Sequence, residues 1–452
     1  MQGVAMCKFF ETRQARGVNW FTWAVLSLLP FMVLPSLAQP LPSLSQHPAD
    51  LSWPTEAWPE AELQPETAAK LAPLIAAVME REPGDVMGET RAIVIIHQGR
   101  LVAEAYRDGF GPQTKQVSWS MAKSMTQALI GRAVHEGWIE SIDTAMPTPF
   151  SERDPRSQIT WRQWLTMTDG LDYKEINATS LYDNDVVNMM YGRGKLDVLA
   201  YVDAELPILH PAGTHWNYST AGFHLIGAAL MDTLGVEQTL NAFEESEDWG
   251  AALERSPALL DVWPEEGAAL SLPPQEDRIS LRRQAHAQIV QRLLFQPLGM
   301  SAQPELDAAG TFLAGSLVYT SARDFAKFGY LYLRDGVWED QRLLPEGWVD
   351  FARTKTPAEN ANVYGAGWWI TPPPGEVHSH AQAATSAPYD AFHAGGHEGQ
   401  TIWVVPSRDL VIVRLGLMPN SAENWRALYE WNQQIARAFE PLSSTGTESV
   451  TP

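Results

Sequence analysis

The chain has 452 residues, 45% of them apolar with 18 Trp, and 32 basic against 54 acidic side chains give a formal charge of −22. That much apolar surface can offset the entropy of ordering, which excludes a disordered or low-complexity chain. The negative charge would be repelled by a phosphate backbone, which argues against nucleic-acid binding.

The first segment is the most distinctive in composition. Lys8, Arg13 and Arg16 precede an uncharged apolar stretch from Trp20 to Leu37, which ends in Ser36-Leu37-Ala38 before Gln39. A positive start, an apolar run and a small-x-small exit read as a secretory signal over residues 1–38, so the protein is expected to be exported, periplasmic or secreted. The alternative is a retained anchor, because the run is nearly long enough to span a bilayer. Pro30 and Pro35 interrupt it near its exit, and no basic stop-transfer cluster follows. Cleavage would remove Cys7, the only cysteine, and bring the charge to −24. A thiol-free mature chain has no disulfide, no thiolate nucleophile and no Cys-ligated metal.

Residues 39–66 read as an extended, Pro-rich leader, followed by a short amphipathic helix over Glu66–Glu80; leader and helix fill residues 39–90. Arg91 to Arg107 shows two β-rich runs around Gln98-Gly99, a hairpin pattern. Met121 to Gly137 has helical spacing with a glycine stop. Residues 244–277 hold ten acidic residues and one basic, with four prolines, and are expected to form a surface insertion. Helical periodicity returns over Ile289–Leu298 and Ser321–Asp335. Thr401–Val405 and Leu410–Leu415 form a second hairpin pattern after a Pro-rich interruption at 371–388, and Asn424–Phe439 forms a last helix before a loose tail, 441–452. Hairpins near both ends with helices between them suggest an α/β fold in which one sheet is assembled from both chain ends, with a mainly helical middle inserted.

One motif carries chemistry at the start of the first central helix. Ser120-Met121-Ala122-Lys123 places a hydroxyl and an amine three residues apart on one helical face. A lysine desolvated there can lose its proton near neutral pH and act as base toward the serine. The helix start adds free N–H groups that favour developing negative charge.

Ser118-Trp119-Ser120-Met121-Ala122-Lys123-Ser124 resembles the serine β-lactamase and penicillin-binding-protein superfamily, in particular its class C-like branch of esterases, amidases and relatives of 6-aminohexanoate-dimer hydrolase. That superfamily follows S-x-x-K with a Tyr or Ser motif and then K-T-G or H-x-G on a strand. Pro211-Ala-Gly-Thr-His-Trp-Asn-Tyr-Ser-Thr220 is similar to its tyrosine segment, which implies Tyr218 as the proton-relaying residue. Thr220 stands where the family often has Asn, which puts an amide contact to substrate in doubt. Asn217 and Thr220 are pocket candidates. Tyr182-Asp183-Asn184 matches Y-x-N literally and makes Tyr182 a competing tyrosine, or a packing aromatic. Gly395-Gly-His-Glu-Gly-Gln400 resembles H-x-G through His397 and Gly399, and by analogy the backbone N–H groups of Ser120 and Gln400 form the oxyanion hole. His393 and His397 could instead be metal ligands four apart, but the glycines make a poor helix there. The resemblance calls for no metal and no cofactor, and extends in order from about Ala92 to Gly416.

The resemblance implies a β-lactamase/transpeptidase-like domain over residues 91–440 and a serine hydrolase working through an acyl-enzyme on Ser120. The substrate would be a small ester, amide or lactam. A D-alanyl peptidase of the same mechanism, or a binding or sensing protein that kept the fold, are the alternatives. No nucleic-acid partner is expected, and membrane contact only through an uncleaved signal segment.

Overall fold

Both ends of the chain do build one sheet. The computed structural model describes residues 41–442 apart from 177, 247, 263–277, 359, 361, 362, 372–387 and 389. The expected signal segment with Cys7, much of the 371–388 stretch and most of the tail lie outside the described residues. Helix α1 (Pro65–Met79) leads into strands β1 (Glu89–His97) and β2 (Arg100–Tyr106). Gln98 and Gly99 both have positive φ, 50° and 77°, which gives the two-residue turn whose twist matches its flanking strands. The central helices are α2 (Ala122–His135), α3 (Thr220–Thr233), α4 (Arg278–Val290) and α5 (Ala322–Leu333). Strands β3 (Trp369–Ile370), β4 (Phe392–Gly396), β5 (Gln400–Val405) and β6 (Leu410–Leu417) precede the last helix, α6 (Ala422–Arg437).

The sheet order is β2-β1-β6-β5-β4-β3, with each neighbouring pair antiparallel. The pairing of β1 with β6 joins the two chain ends, so neither hairpin forms the sheet alone. Residues alternate between its faces, as a strand's period of two requires. Ile93, Ile95, Trp403, Val405 and Ile412 pack with residues of α1 and α6 on one side. Ala92, Val94, Ile402, Val404 and Val413 pack with α2, α3 and α5 on the other. Burial on both faces explains why these strands read as near-continuous apolar runs. The fold is the β-lactamase/transpeptidase-like arrangement, an antiparallel sheet between helical layers. Among the described residues, no helix is long and apolar enough to cross a membrane.

The described part of the acidic insertion, through Val262, contains the end of a helix (Val236–Ser246) and two short helices, Trp249–Leu253 and Pro257–Val262. Ala252, Leu253 and Leu259 are buried, so the segment is packed onto the body of the protein through small apolar residues dispersed among the acids. Part of its charge is matched by Arg278, which bonds both Glu237 and Glu244. The helix expected over Ile289–Leu298 starts earlier, at Arg278, and ends in a π-helical turn over Gln291–Phe295.

Candidate active site

Ser120 lies on a short turn, Trp119–Met121, immediately before α2. Two contacts fix the turn from the neighbouring strand. Ser118 N–H donates to Val318 O at 2.8 Å, and Val318 N–H donates to Ser118 Oγ at 2.9 Å. Trp119 is held at φ 44°, a left-handed conformation uncommon for a bulky residue and characteristic of over-determined functional sites. The helix behind the turn is buried along almost its whole length. Its polar side chains are tied down as well: Ser124 Oγ donates to Gly367 O at 2.7 Å and Thr126 Oγ1 to Ala314 O at 2.7 Å.

Lys123 points into the site with 1% of its surface exposed. Its Nζ donates to Ser120 Oγ at 3.0 Å, to Thr220 Oγ1 at 2.7 Å and to Gly315 O at 2.7 Å. Burial lowers its pKa from 10.5 to about 8, opposed in part by the Glu175 carboxylate. Thr220, the first residue of α3, passes the chain of bonds on to that carboxylate. Its Oγ1 donates to Glu175 Oε1 at 2.9 Å, and its backbone N–H donates to Glu175 Oε2 at 3.0 Å. A carboxylate on an open N–H at a helix start is favoured by the helix dipole.

Of the two tyrosines, the structure brings Tyr218 to this cluster. Its ring centroid lies 4.8 Å from Lys123 Nζ, and its ring stacks on Trp369 at 5.4 Å. Burial first, and then the Glu175 charge, push the phenol pKa well above its usual value. Tyr182 is 94% exposed, with its ring in solvent. Asn217 serves the neighbouring loop: its Nδ2 donates to Tyr173 O at 2.8 Å, two residues before Glu175.

The third expected element, His397–Gly399, is a tight turn just before β5, with Glu398 at φ 61° and Gly399 at φ 77°. Gln400 opens β5, the second long strand from this edge, paired with Gly396. Its side-chain amide donates to Gly416 O at 2.7 Å and accepts from Gly416 N–H at 2.9 Å, bracing β6. The segment against the serine turn is β4. A Cβ on Gly396 would lie 2.3 Å from Ser118 O, so only glycine allows this approach. H-x-G in fact occurs twice in this stretch, as His393-Ala394-Gly395 and as His397-Glu398-Gly399, and spacing alone does not choose between them. The imidazoles of the two histidines have different surroundings. His393 stacks on Trp403 at 4.9 Å and contacts Tyr429 Oη at 3.2 Å, while His397 sits edge-on to Trp119 at 5.4 Å. Among the described residues, no group of three or more His, Cys, Asp or Glu could hold a metal ion.

Three groups of the site carry no signal that sequence reasoning could use. Glu175 arrives from a loop, Gly315 contributes only a carbonyl, and buried His224 accepts the Gly315 N–H at 3.2 Å through Nδ1. Burial, and then the Lys123 charge, lower the His224 pKa to about 3, so this imidazole is a neutral prop. Only the Asp-Tyr-Lys-Glu run before the exposed loop hints at Glu175, and nothing in it points at Lys123.

The whole arrangement has relatives. The family model described as "Beta-lactamase" matches residues 71–417. The 6-aminohexanoate-dimer hydrolase of Paenarthrobacter ureafaciens is 23% identical over 359 residues, which are 75% of this chain and 76% of that protein. A putative 6-aminohexanoate-dimer hydrolase from Bacillus anthracis superimposes with a TM-score of 0.58 at 16% identity, covering 88% of this chain and 90% of that one. A putative beta-lactamase from Bacteroides dorei superimposes with a TM-score of 0.54 at 16% identity, covering 82% and 99%. Because the family model spans well over half of the sequence, from the first helix to the last strand of the sheet, the chain belongs to the beta-lactamase family.

Proposed function

We propose that the protein is an exported serine hydrolase that cleaves a small ester or amide through an acyl-enzyme on Ser120. The observation that carries this reading is the set of partners around Lys123 Nζ. Gly315 O can only accept. Thr220 Oγ1 donates its own proton to Glu175 and therefore accepts from the lysine. A neutral amine has two N–H bonds and one lone pair. With both N–H bonds taken by Gly315 and Thr220, the lone pair is left facing the Ser120 hydroxyl. With a pKa of about 8, a large fraction of Lys123 holds that form at mildly alkaline pH.

In this reading the Ser120 proton passes to Lys123 Nζ as Oγ bonds to the substrate carbonyl carbon, and the carbonyl oxygen takes up the negative charge. Tyr218, kept as a neutral phenol, relays the proton from Lys123 to the leaving group as the C–O or C–N bond breaks. Water then attacks the acyl-enzyme by the reverse proton path and releases the acid. The Ser120 N–H is one oxyanion donor. Gly395 is the second in place of Gln400. Thr371 N–H donates to Ala391 O at 3.1 Å, so alternate residues 393 and 395 turn their polar groups to the same outer edge, and β3 pairs no further than His393. Export rests on the N-terminal pattern Lys8 to Ala38. The relative from Paenarthrobacter ureafaciens is a hydrolase by name, which supports the reaction class.

The test is covalent labelling of the purified protein with a serine-directed phosphonate, together with hydrolysis of short p-nitrophenyl esters. Both are expected in the wild type and lost in Ser120→Ala. Labelling that survives the substitution refutes the assignment.

A further inference from the structure

Tyr218 sits on the link before α3, and what holds its ring comes from the sheet. Trp369 of the edge strand β3 lies directly opposite His393 of β4, which lies directly opposite Trp403 of β5. Residues opposite each other on neighbouring antiparallel strands share one sheet face, so the three rings stand in a row. Trp369 stacks on His393 with centroids 6.4 Å and planes 19° apart, and His393 on Trp403 at 4.9 Å and 13°. Tyr429 of α6 covers the inner end, with centroids 5.2 Å from His393 and 5.7 Å from Trp403. Tyr218 forms the outer end, its ring 5.4 Å from that of Trp369 and tilted by 22°.

The row is anchored within the fold. His393 and Trp403 are buried, and burial lowers the His393 pKa to about 3, so the imidazole stays neutral between its neighbours. Trp369 also lies against the backbone of β4: a Cβ on Gly395 would come within 3.1 Å of its Cδ1. Tyr364, itself buried, meets both outer rings edge-on, at 5.0 Å from Trp369 and 6.0 Å from Tyr218. Stacked and edge-on pairs have preferred geometries, so a fixed indole restrains the tilt of the phenol beside it. A phenol passes a proton only from within hydrogen-bond reach, and a displacement of about 1 Å can cost roughly 100-fold in rate.

We propose that Trp369 is a positioning residue, whose indole, anchored by the ring row, sets the ring of Tyr218 and so aims its hydroxyl at the leaving group. That aim rests on the hydrolase reading above, whereas the restraint on the ring does not. Lys123 is held by other partners, Thr220 and Gly315. Loss of the indole should therefore weaken proton delivery to the leaving group more than attack on the carbonyl.

The leaving group supplies the readout. The comparison is kcat/KM for p-nitrophenyl acetate against phenyl acetate, because the poorer leaving group depends more on a delivered proton. Tyr218→Phe should raise this ratio about tenfold and Trp369→Leu about threefold, with Trp369→Phe closer to the wild type than Trp369→Leu. Combining Trp369→Leu with Tyr218→Phe should raise the ratio no further than Tyr218→Phe alone. A merely structural loss slows both esters by one factor, so a ratio raised by Tyr218→Phe but unchanged in Trp369→Leu overturns the proposal. So does a combined variant in which the two effects multiply, or a Trp369→Phe ratio no nearer the wild type than that of Trp369→Leu. The second measurement needs no substrate: urea midpoints of Trp369→Leu, Tyr218→Leu and their combination. A combined shift smaller than the sum of the single shifts supports the ring contact, and additive shifts overturn it. If the wild type hydrolyses no ester, or Tyr218→Phe leaves the ratio unchanged, the hydrolase reading or its tyrosine relay fails, and the urea cycle still decides on the ring restraint.

Discussion

Replacing Glu175 with Gln tests the electrostatics of the site most directly. The carboxylate and the Lys123 amine are bridged by Thr220 Oγ1 through bonds of 2.9 and 2.7 Å. Two such bonds through a shared oxygen put the charges about 5 Å apart, and at an effective dielectric constant of about 20 their attraction is roughly 3 kcal/mol. That corresponds to at most about 2 pH units of support for the ammonium form. The sign follows. Glu175 raises the Lys123 pKa against the larger desolvation effect that brings it down to about 8, so removing the charge lowers it further. The rise of kcat/KM with pH, expected near pH 8 in the wild type, should move down by about 1 to 2 units in Glu175→Gln. The plateau should also fall, because an amide replaces one of the two acceptor oxygens, which take the Thr220 hydroxyl and its N–H separately, with a donor. The assay is the pH dependence of phosphonate labelling rate and of ester kcat/KM over the range in which the protein stays folded. A lower plateau with no movement of the midpoint would show that Glu175 only props Thr220. An upward movement would refute the assignment of the titrating group to Lys123.

Other variants probe single contacts. Tyr218→Phe should lower turnover by about 10²–10⁴-fold, the usual range for a lost proton-transfer group, while Tyr182→Phe should stay within twofold; the reverse order in ester kinetics would show the wrong tyrosine was chosen. Lys123→Met should abolish labelling yet stabilise the protein below pH 8. The drop from 10.5 to about 8 on folding represents roughly 3 kcal/mol held against the native state at low pH, offset by about 1–3 kcal/mol for orphaning the Gly315 carbonyl. Since the unfolded lysine binds its proton more tightly, wild-type stability rises with pH through this window, and the wild-type urea midpoint should rise relative to that of the variant as pH goes from 7 to 10. A wild-type midpoint that falls relative to the variant's over that range would contradict this linkage. Gly396→Ala places a Cβ 2.3 Å from Ser118 O, so turnover should fall at least tenfold with circular dichroism unchanged. Near-normal turnover would mean that β4 need not approach the serine turn so closely.

What the sequence made legible was local. The first hairpin is encoded in its two turn residues, and S-x-x-K sits at a helix start that any amphipathic reading finds. Tyr218 is distinguished from Tyr182 by ten residues of flanking pattern, and the burial of one against the exposure of the other gives the physical counterpart. What was not legible depends on the fold bringing distant backbone together. Gly315 enters the site through a carbonyl, which every residue has. Glu175 becomes a partner of Lys123 only because α3 begins beside it. The strand motif keeps two readings, because His-x-Gly occurs at both His393 and His397 and spacing alone does not choose between them. How the acidic insertion packs was not legible for a related reason. Charge density describes its exposed side chains, while Ala252, Leu253 and Leu259 decide where it packs.

The site assigns its acid–base roles through one shared cause acting with opposite sign. Burial disfavours the charged form of both Lys123 and Tyr218, so it pushes the amine down toward neutrality at working pH and the phenol up, away from ionisation. A tyrosinate base would need a stable cation beside it, yet the Glu175 charge opposes a phenolate and supports an ammonium. In the proposed mechanism the two groups therefore divide the work, the lysine accepting the Ser120 proton and the tyrosine passing one on without itself ionising. Thr220, where an amide side chain was expected, is what couples them to Glu175. A hydroxyl can accept from the amine while donating to the carboxylate, a pair of bonds whose direction is fixed by Glu175. In the proposed mechanism that one-way chain keeps the lysine lone pair pointed at Ser120, and the threonine serves as a functional substitute and not a defect in the motif.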